Sequence, residues 1–576
     1  MRRGSLLVLA ALLAGCGTQG VSPRVAWNGS VPVGWRHPAP RSEARGRYTM
    51  VVSDHPLASG VGVEVLRRGG NAIDAAVAVA FALAVVHPQA GNIGGGGFLV
   101  YRAADGRSYT LDFRETAPAA ATRNMYVDAG GTLNDKRLTG ALASGVPGTV
   151  AGLWEMHRRF GRLPWSALVA PAVALARDGA VIDSARAAAF ANPASDERLR
   201  LFPTTVAAFM PHGRLPRLGD TLRQEDLART LTLLADSGAD AFYRGGIAEQ
   251  IVAQMVKSGG IITRADLAGY RVKWREPLHS TYRGWEIIGM PPPSSGGVTM
   301  AEMLNILEGF QPLPPFGTPT LLHLEVEAMR RAFMDRNYWL GDPDFVAMPI
   351  ARLISKAYAD TLRSGIEPEK ATPTGRLPPV AEGTHTTHFS IVDQEGNAVA
   401  ITYTLNDDFG SALVVGGAGF LLNDEMDDFA TKPGSPNLYG LVQGEANAIQ
   451  PGKRMLSAMT PTIVLDPKGR LGLVLGSPGG PRIITAVMQV LSNVVDHDMT
   501  LAQAVTAPRI HHQGLPDSIF WEPEGISPEQ RRALEAMGYA FREEPHWVGD
   551  VNAVLVTRRG LDGVADPRRG GGAAGW

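Results

Sequence analysis

TTHFSIVDQEGNAVAITYTLN, residues 386–406, reads as a β-hairpin that brings three polar side chains together. Residues 387–393 alternate with a period of two, the pattern of a strand with two distinct faces. Gln394-Glu395-Gly396-Asn397 is turn chemistry. Residues 398–405 are β-branched and apolar again and form the return strand. A turn centred near Glu395 sets Thr386 opposite Thr404, within one residue. Asn406 lies two positions further on and so shares a face with Thr404. Two hydroxyls and an amide are therefore expected in one place. Taken alone, Thr386 and Thr387 could equally be ordinary strand threonines.

The 576 residues are 45% hydrophobic and 19% charged, the composition of a globular protein with a large core. That length permits several domains or interlocking pieces. With 55 basic and 56 acidic residues, no global field exists to draw in nucleic acid or an anionic membrane. The N-terminus has its own logic. Met1-Arg2-Arg3 is a basic start, and residues 6–14 form an apolar run too short to span a bilayer, as in a secretion signal. Leu13-Ala14-Gly15-Cys16 resembles the bacterial lipoprotein cleavage box. Cys16 is the sole cysteine, so it cannot form an internal disulfide. Lipid attachment explains its position, with 1–15 as the signal peptide and 16–47, rich in Pro, Ser, Gly and Arg, as a tether. These features point to the cell envelope.

Further along, residues 50–52 read as a strand. Residues 58–86 are helical with a break at Gly69-Gly70-Asn71, and 72–86 are apolar on almost every face, which requires burial. The glycine run from Gly91 to Gly97 invites comparison with a phosphate-cradling loop, but no Gly-Lys-Ser/Thr follows and a helix precedes it. Close backbone packing ahead of a strand fits better. The strand 109–113 delivers Asp112-Phe113-Arg114-Glu115. A lone arginine there is a surface ion pair or a carboxylate clamp, for which its planar fork is suited. From Gly145 to about Gly375 the chain reads as largely helical, with proline-rich interruptions at 291–293 and 312–315. No Gly-x-Ser-x-Gly elbow occurs. The stretch 375–384 reads as a flexible end. The acidic run Asn423-Asp424-Glu425-Met426-Asp427-Asp428 does not have the spacing of an EF-hand. Residues 432–440 are loop, and 471–475 form a strand before Gly476-Ser477-Pro478-Gly479-Gly480. His511-His512 would point to opposite faces of a strand, so no metal centre is expected.

Taken in order, these segments resemble the gamma-glutamyltranspeptidases, members of the N-terminal nucleophile hydrolase superfamily. The likeness runs from about Tyr48 to Trp576. It is carried by GGNAIDAAVA, GNIGGGG, DFRE, GVPGTVAG, PPPSSGG, the 386–406 hairpin, FLLNDEMDD, KPGSPNLYG, RMLSAM, GSPGG, HHQ and ADPR. The resemblance implies an α+β fold, a four-layer αββα sandwich built jointly by two subunits cut from one precursor. The cut would fall between His385 and Thr386, giving a large subunit, 48–385, and a small catalytic subunit, 386–576. Thr386 would be the nucleophile. Its freed α-amine, with a pKa near ~7.7–8.0, would be the base that a weakly nucleophilic hydroxyl needs. Thr404 would hold the hydroxyl, and the N–H groups of Gly479 and Gly480 would form the oxyanion hole.

In the same way Arg114 and Ser457 would hold the substrate α-carboxylate. Asn406, Glu425 and Asp428 would hold its ammonium, and Tyr439 would gate a lid over the site. One departure stands out: the family's second adjacent serine is Ala458 here, removing a hydrogen bond worth about 0.5–1.5 kcal/mol. The implied activity is cleavage of γ-glutamyl amides such as glutathione. The resulting ester would be resolved by water, an amino acid or a dipeptide, with no metal or organic cofactor. A cephalosporin or glutaryl acylase on the same scaffold is the near rival, although such an enzyme need not bind an α-amine. A non-catalytic lipoprotein binding γ-glutamyl peptides is the distant one.

Overall fold

A computed structural model describes residues 42–373, 386–523 and 525–576. The signal segment, Cys16, the stretch 375–384 and His385 lie outside the described residues.

Strands Thr387–Val392 and Ala398–Thr404 pair antiparallel with Thr387 opposite Tyr403, and continuing that register sets Thr386 against Thr404. The hairpin is the centre of a seven-stranded antiparallel sheet. Its order is Gly572–Gly575, Met50–Ser53, Thr387–Val392, Ala398–Thr404, Gly96–Arg102, Ser108–Asp112, Lys273–Arg275. Every residue of both hairpin strands is buried, because helices cover one face and a second sheet covers the other. That second sheet runs Glu43–Gly46, Gly560–Ala565, Asn552–Thr557, Leu471–Gly476, Thr462–Leu465, Trp285–Gly289, Leu278–Tyr282. Both sheets take strands from either side of position 386, so the two stretches of chain interlock.

Two helical layers close the sandwich. On one side pack Pro56–Arg67 and Ala72–Val86, separated at Gly69-Gly70-Asn71 as the sequence predicts. Asn71 and Asp74 form a reciprocal capping box that starts the second helix, and all fifteen of its residues are buried. On the other side lie Gly296–Glu308, Arg482–Val495 and Leu501–Thr506.

Two expectations need correction. Residues 43–46, read as the end of a tether, form an edge strand paired with Gly560–Ala565. The region from Gly145 to Gly375 is less uniformly helical than its sequence suggests. Lys273–Arg275, Leu278–Tyr282 and Trp285–Gly289 are sheet strands. They are short, and Leu278–Tyr282 is a sheet edge with a half-polar composition, which mutes the apolar signal of a strand.

Candidate active site

Arg114, Thr386, Thr404, Asn406, Asp428, Tyr439, Ser457, Ala458 and Gly480 all line one narrow cleft. Two other expected residues, Glu425 and Gly479, stand just behind the lining. Leu441, Met459, Pro481 and Ile483 complete the wall, as does Arg336, which nothing in the sequence singled out.

The hairpin supplies the hydroxyls. Thr386 and Thr404 are both 3% exposed, and Thr404 Oγ1 accepts the backbone N–H of Asn406 at 2.9 Å. Asn406 lies past the strand end with φ of 88°, so strand alternation does not set its direction; this bond and its Nδ2 donation to Asp424 O at 3.1 Å do. The glycine run works as a close-approach device. A Cβ on Gly95 would lie 2.0 Å from Thr404 O. His388, two residues from Thr386, is no base: burial pulls its ring down to about 3, and it sits between Thr402 Oγ1 at 2.8 Å and Ser390 Oγ at 3.0 Å.

Gly479 and Gly480 follow the strand Leu471–Gly476 and precede the fourteen-residue helix Arg482–Val495. Free amides at such a terminus favour developing negative charge. Gly480 has φ of 58°, and a Cβ there would meet the Tyr439 ring at 2.8 Å. The Tyr439 ring therefore packs directly against the turn. Its hydroxyl donates to Asn406, reaching O at 2.8 Å and Oδ1 at 2.9 Å. Asn437 Oδ1 accepts the Tyr439 and Leu441 N–H groups, and Gln513 Nε2 donates to Tyr439 O at 2.9 Å. These hydrogen bonds hold the loop 432–440 beside the cleft.

One guanidinium among three carboxylates forms the charged end. Arg114 is fully buried, with Nη1 2.6 Å from Glu425 Oε2 and 3.5 Å from Glu115 Oε2, and Nη2 against Asp428 Oδ2. Burial opposes its charge, but Glu425, Glu115 and Asp428 outweigh that and hold the guanidinium above its usual range. The carboxyls move the other way. Burial, only partly offset by Arg114, pushes Glu115 up to about 7. The same cause drives Glu425 well above the usual range, with Glu115 and Asp428 adding repulsion. Burial raises Asp428 too, against Arg114 and Arg336. Glu115 escaped the sequence reading because its only signal is adjacency to Arg114. The two histidines are tied into the scaffold: His511 contacts Thr485 and Gln513, and His512 contacts Asp517.

A buried threonine pair, a glycine turn at a helix start and a cluster of both charges therefore meet in one cleft. The family model for gamma-glutamyltranspeptidase matches residues 58–576. The chain is 47% identical over 555 residues to the glutathione hydrolase proenzyme of Pseudomonas sp. strain A14, covering 93% of this chain and 96% of that protein. Among solved structures, Helicobacter pylori gamma-glutamyltranspeptidase superposes with a TM-score of 0.56 at 45% identity, covering 59% of this chain and 97% of that one. Cephalosporin acylase from Bacillus halodurans superposes with a TM-score of 0.83 at 29% identity, covering 95% and 99%.

Proposed function

The chain belongs to the gamma-glutamyltranspeptidase family, and from that premise we propose that it is a self-cleaving γ-glutamyl transferase and glutathione hydrolase with Thr386 as its nucleophile. The observation that carries the reading is the convergence of Arg114, Thr386, Thr404, Ser457 and Gly480 on one cleft from segments far apart in sequence. In the uncut chain the Thr386 nitrogen is an amide and cannot act as a base. Scission of the His385–Thr386 bond turns it into an amine that titrates near working pH. Thr386 Oγ then attacks the γ-carbonyl of the donor while the amine takes its proton. Thr404 holds the hydroxyl, and the amides of Gly479 and Gly480 receive the oxyanion. The proton passes to the leaving amine. Water, an amino acid or a dipeptide then resolves the γ-glutamyl ester.

Arg114 and Ser457 take the donor α-carboxylate, and Asn406, Glu425 and Asp428 take its ammonium. Each charge would otherwise be desolvated without a partner, so donors lacking one are selected against. Tyr439 in its closed position shields the ester from water. The large subunit is 48–385 and the small one 386–576. The likeness to a cephalosporin acylase favours glutaryl transfer as the second reading; the acidic cluster beside Arg114 disfavours it, because a glutaryl group offers no ammonium.

Residues 1–15 act as a signal peptide, and Cys16 carries a lipid that anchors the enzyme in the cell envelope. Among the described residues no helix is long and apolar enough to cross a membrane.

The test is Thr386→Ala. It yields one uncut chain without γ-glutamyl anilide hydrolysis, whereas the unaltered protein yields two subunits. Two subunits from the variant would refute the assignment. Intact mass of the mature protein reads both the internal cut and the acylation of Cys16.

A further inference from the structure

The cleft holds a second guanidinium that the reading above leaves unused. Arg336 lies in the last turn of helix Pro319–Trp339, is 2% exposed, and lines the cleft. Its Nε donates to Ser295 Oγ at 3.1 Å, and its Nη1 donates to Asn337 Oδ1 at 2.8 Å and Gln443 Oε1 at 3.3 Å. All three acceptors are neutral. Among the described residues Nη2 makes no hydrogen bond and no carboxylate forms an ion pair with the group. The other fully buried arginines differ. Arg186 meets Asp183 at 3.1 Å, Arg509 meets Asp566 at 2.7 Å, and Arg114 has its three carboxylates. Burial pulls the Arg336 guanidinium down to about 10, with Asp428 opposing, so it stays charged at neutral pH. A buried cation held only by neutral groups is costly unless an anion completes its shell.

Its position says which anion. Ser295, the acceptor of the Nε bond, donates through both N and Oγ to Ser457 O at 2.7 and 2.6 Å. Arg336 therefore stands one side chain away from Ser457, at the carboxylate end of the cleft. Arg114 at that end already shares its charge with Glu425 and Asp428, and Ala458 offers no hydroxyl.

We propose that Arg336 is a second carboxylate-binding residue of the donor site, sharing the donor α-carboxylate with Arg114 and Ser457. This rests on the reading of the cleft as a γ-glutamyl site. Arg336 thereby sets specificity for the acyl group and takes no part in proton transfer.

Three anilides test it: γ-glutamyl, with both charges; glutaryl, with the carboxylate only; and 4-aminobutanoyl, with the ammonium only. Arg336→Gln raises KM for the first two by at least about tenfold with kcat little changed, and leaves kcat/KM for the third unaltered. Arg336→Lys, which keeps the charge and loses the fork, falls between. An equal loss on all three anilides, or none on any, overturns the proposal. So does a loss confined to glutathione, which would place the carboxylate on the leaving group. Failure of both variants to form two subunits assigns Arg336 to the scaffold and also overturns it. Turnover of γ-glutamyl anilide by the unaltered enzyme is scored separately: its absence refutes the functional reading itself, not the role of Arg336.

Discussion

Arg114 Nη1 lies 2.6 Å from Glu425 Oε2, with both side chains fully buried. The two expected halves of a zwitterion receptor thus touch each other in the cleft wall. An arriving α-carboxylate competes for the guanidinium, and the arriving ammonium replaces it beside the carboxyls. Burial pushes Glu115 up to about 7 and Glu425 well above its usual range, so both carboxyls hold a proton more readily than a free carboxyl does. An ammonium stabilises the ionised carboxyls and lowers their pKa values.

Binding of L-glutamate to the mature enzyme at pH 7 is therefore expected to release protons, whereas glutarate, without an ammonium, releases fewer. Calorimetric titration in buffers of different ionisation enthalpy reads this directly. Identical heats in every buffer for L-glutamate would contradict the charge arrangement.

Tyr439 offers a cleaner single-atom test. Its hydroxyl makes the two contacts to Asn406, at 2.8 and 2.9 Å, that tie the loop 432–440 across the cleft. Tyr439→Phe keeps the ring over Gly480 and removes this one hydrogen bond, shared between the two Asn406 oxygens and worth about 0.5–1.5 kcal/mol. The loop position seen here loses about 0.5–1.5 kcal/mol, a shift of roughly twofold to tenfold in its population. Faster amide exchange over residues 434–444 is expected, together with a larger share of acyl-enzyme lost to water than to a dipeptide acceptor. Unchanged partitioning would remove Tyr439 from the role of gate.

Ala458 lines the cleft beside Ser457 and is 8% exposed. Ala458→Ser adds a hydroxyl where the donor carboxylate is expected. One added hydrogen bond of about 0.5–1.5 kcal/mol lowers KM for γ-glutamyl anilide by about twofold to tenfold. The 4-aminobutanoyl anilide, lacking the carboxylate, is unaffected. A gain on both substrates would point to loop rearrangement instead.

The contrast between Thr404 and Arg336 shows what the sequence makes legible. Thr404 faces Thr386 because a period-two strand, a four-residue turn and another strand are all local, and local pattern sets their register. The break at Gly69-Gly70-Asn71 and the buried helix Ala72–Val86 are legible for the same reason. Arg336 is one of 55 basic residues, on a helix whose composition marks no face as functional. It becomes part of the cleft only because Ser295 and Gln443, remote in sequence, meet the helix end. Trp285–Gly289 has a remote partner in Thr462–Leu465, but it also pairs locally with Leu278–Tyr282 across the Arg283-Gly284 turn, so that hairpin was open to a sequence reading and its half-polar strands masked it. Glu425 was legible as a member of an acidic run, but its direct pairing with Arg114 was not, because the contact joins a loop after the hairpin to the end of a strand far earlier in the chain.

Glu325 carries a prediction for stability rather than catalysis. It lies in helix Pro319–Trp339 and is 6% exposed; burial, reinforced by Asp496, pushes its carboxyl up to about 8. The folded pKa therefore exceeds the unfolded value of about 4.3. Between those values the folded state binds the extra proton, so Glu325 contributes fully below about pH 4.3 and progressively less as pH rises toward 8. The slope from this group alone approaches 1.4 kcal/mol per pH unit at most, about one proton's worth. Glu325→Gln cannot ionise and keeps nearly the same shape, so it should be more stable than the unaltered protein at pH 8 and close to it at pH 5. Urea midpoints at the two pH values measure the difference. A variant whose midpoint tracks the unaltered protein at both would show that the carboxyl is ionised in the fold, and that water or a moving neighbour reaches it despite its burial.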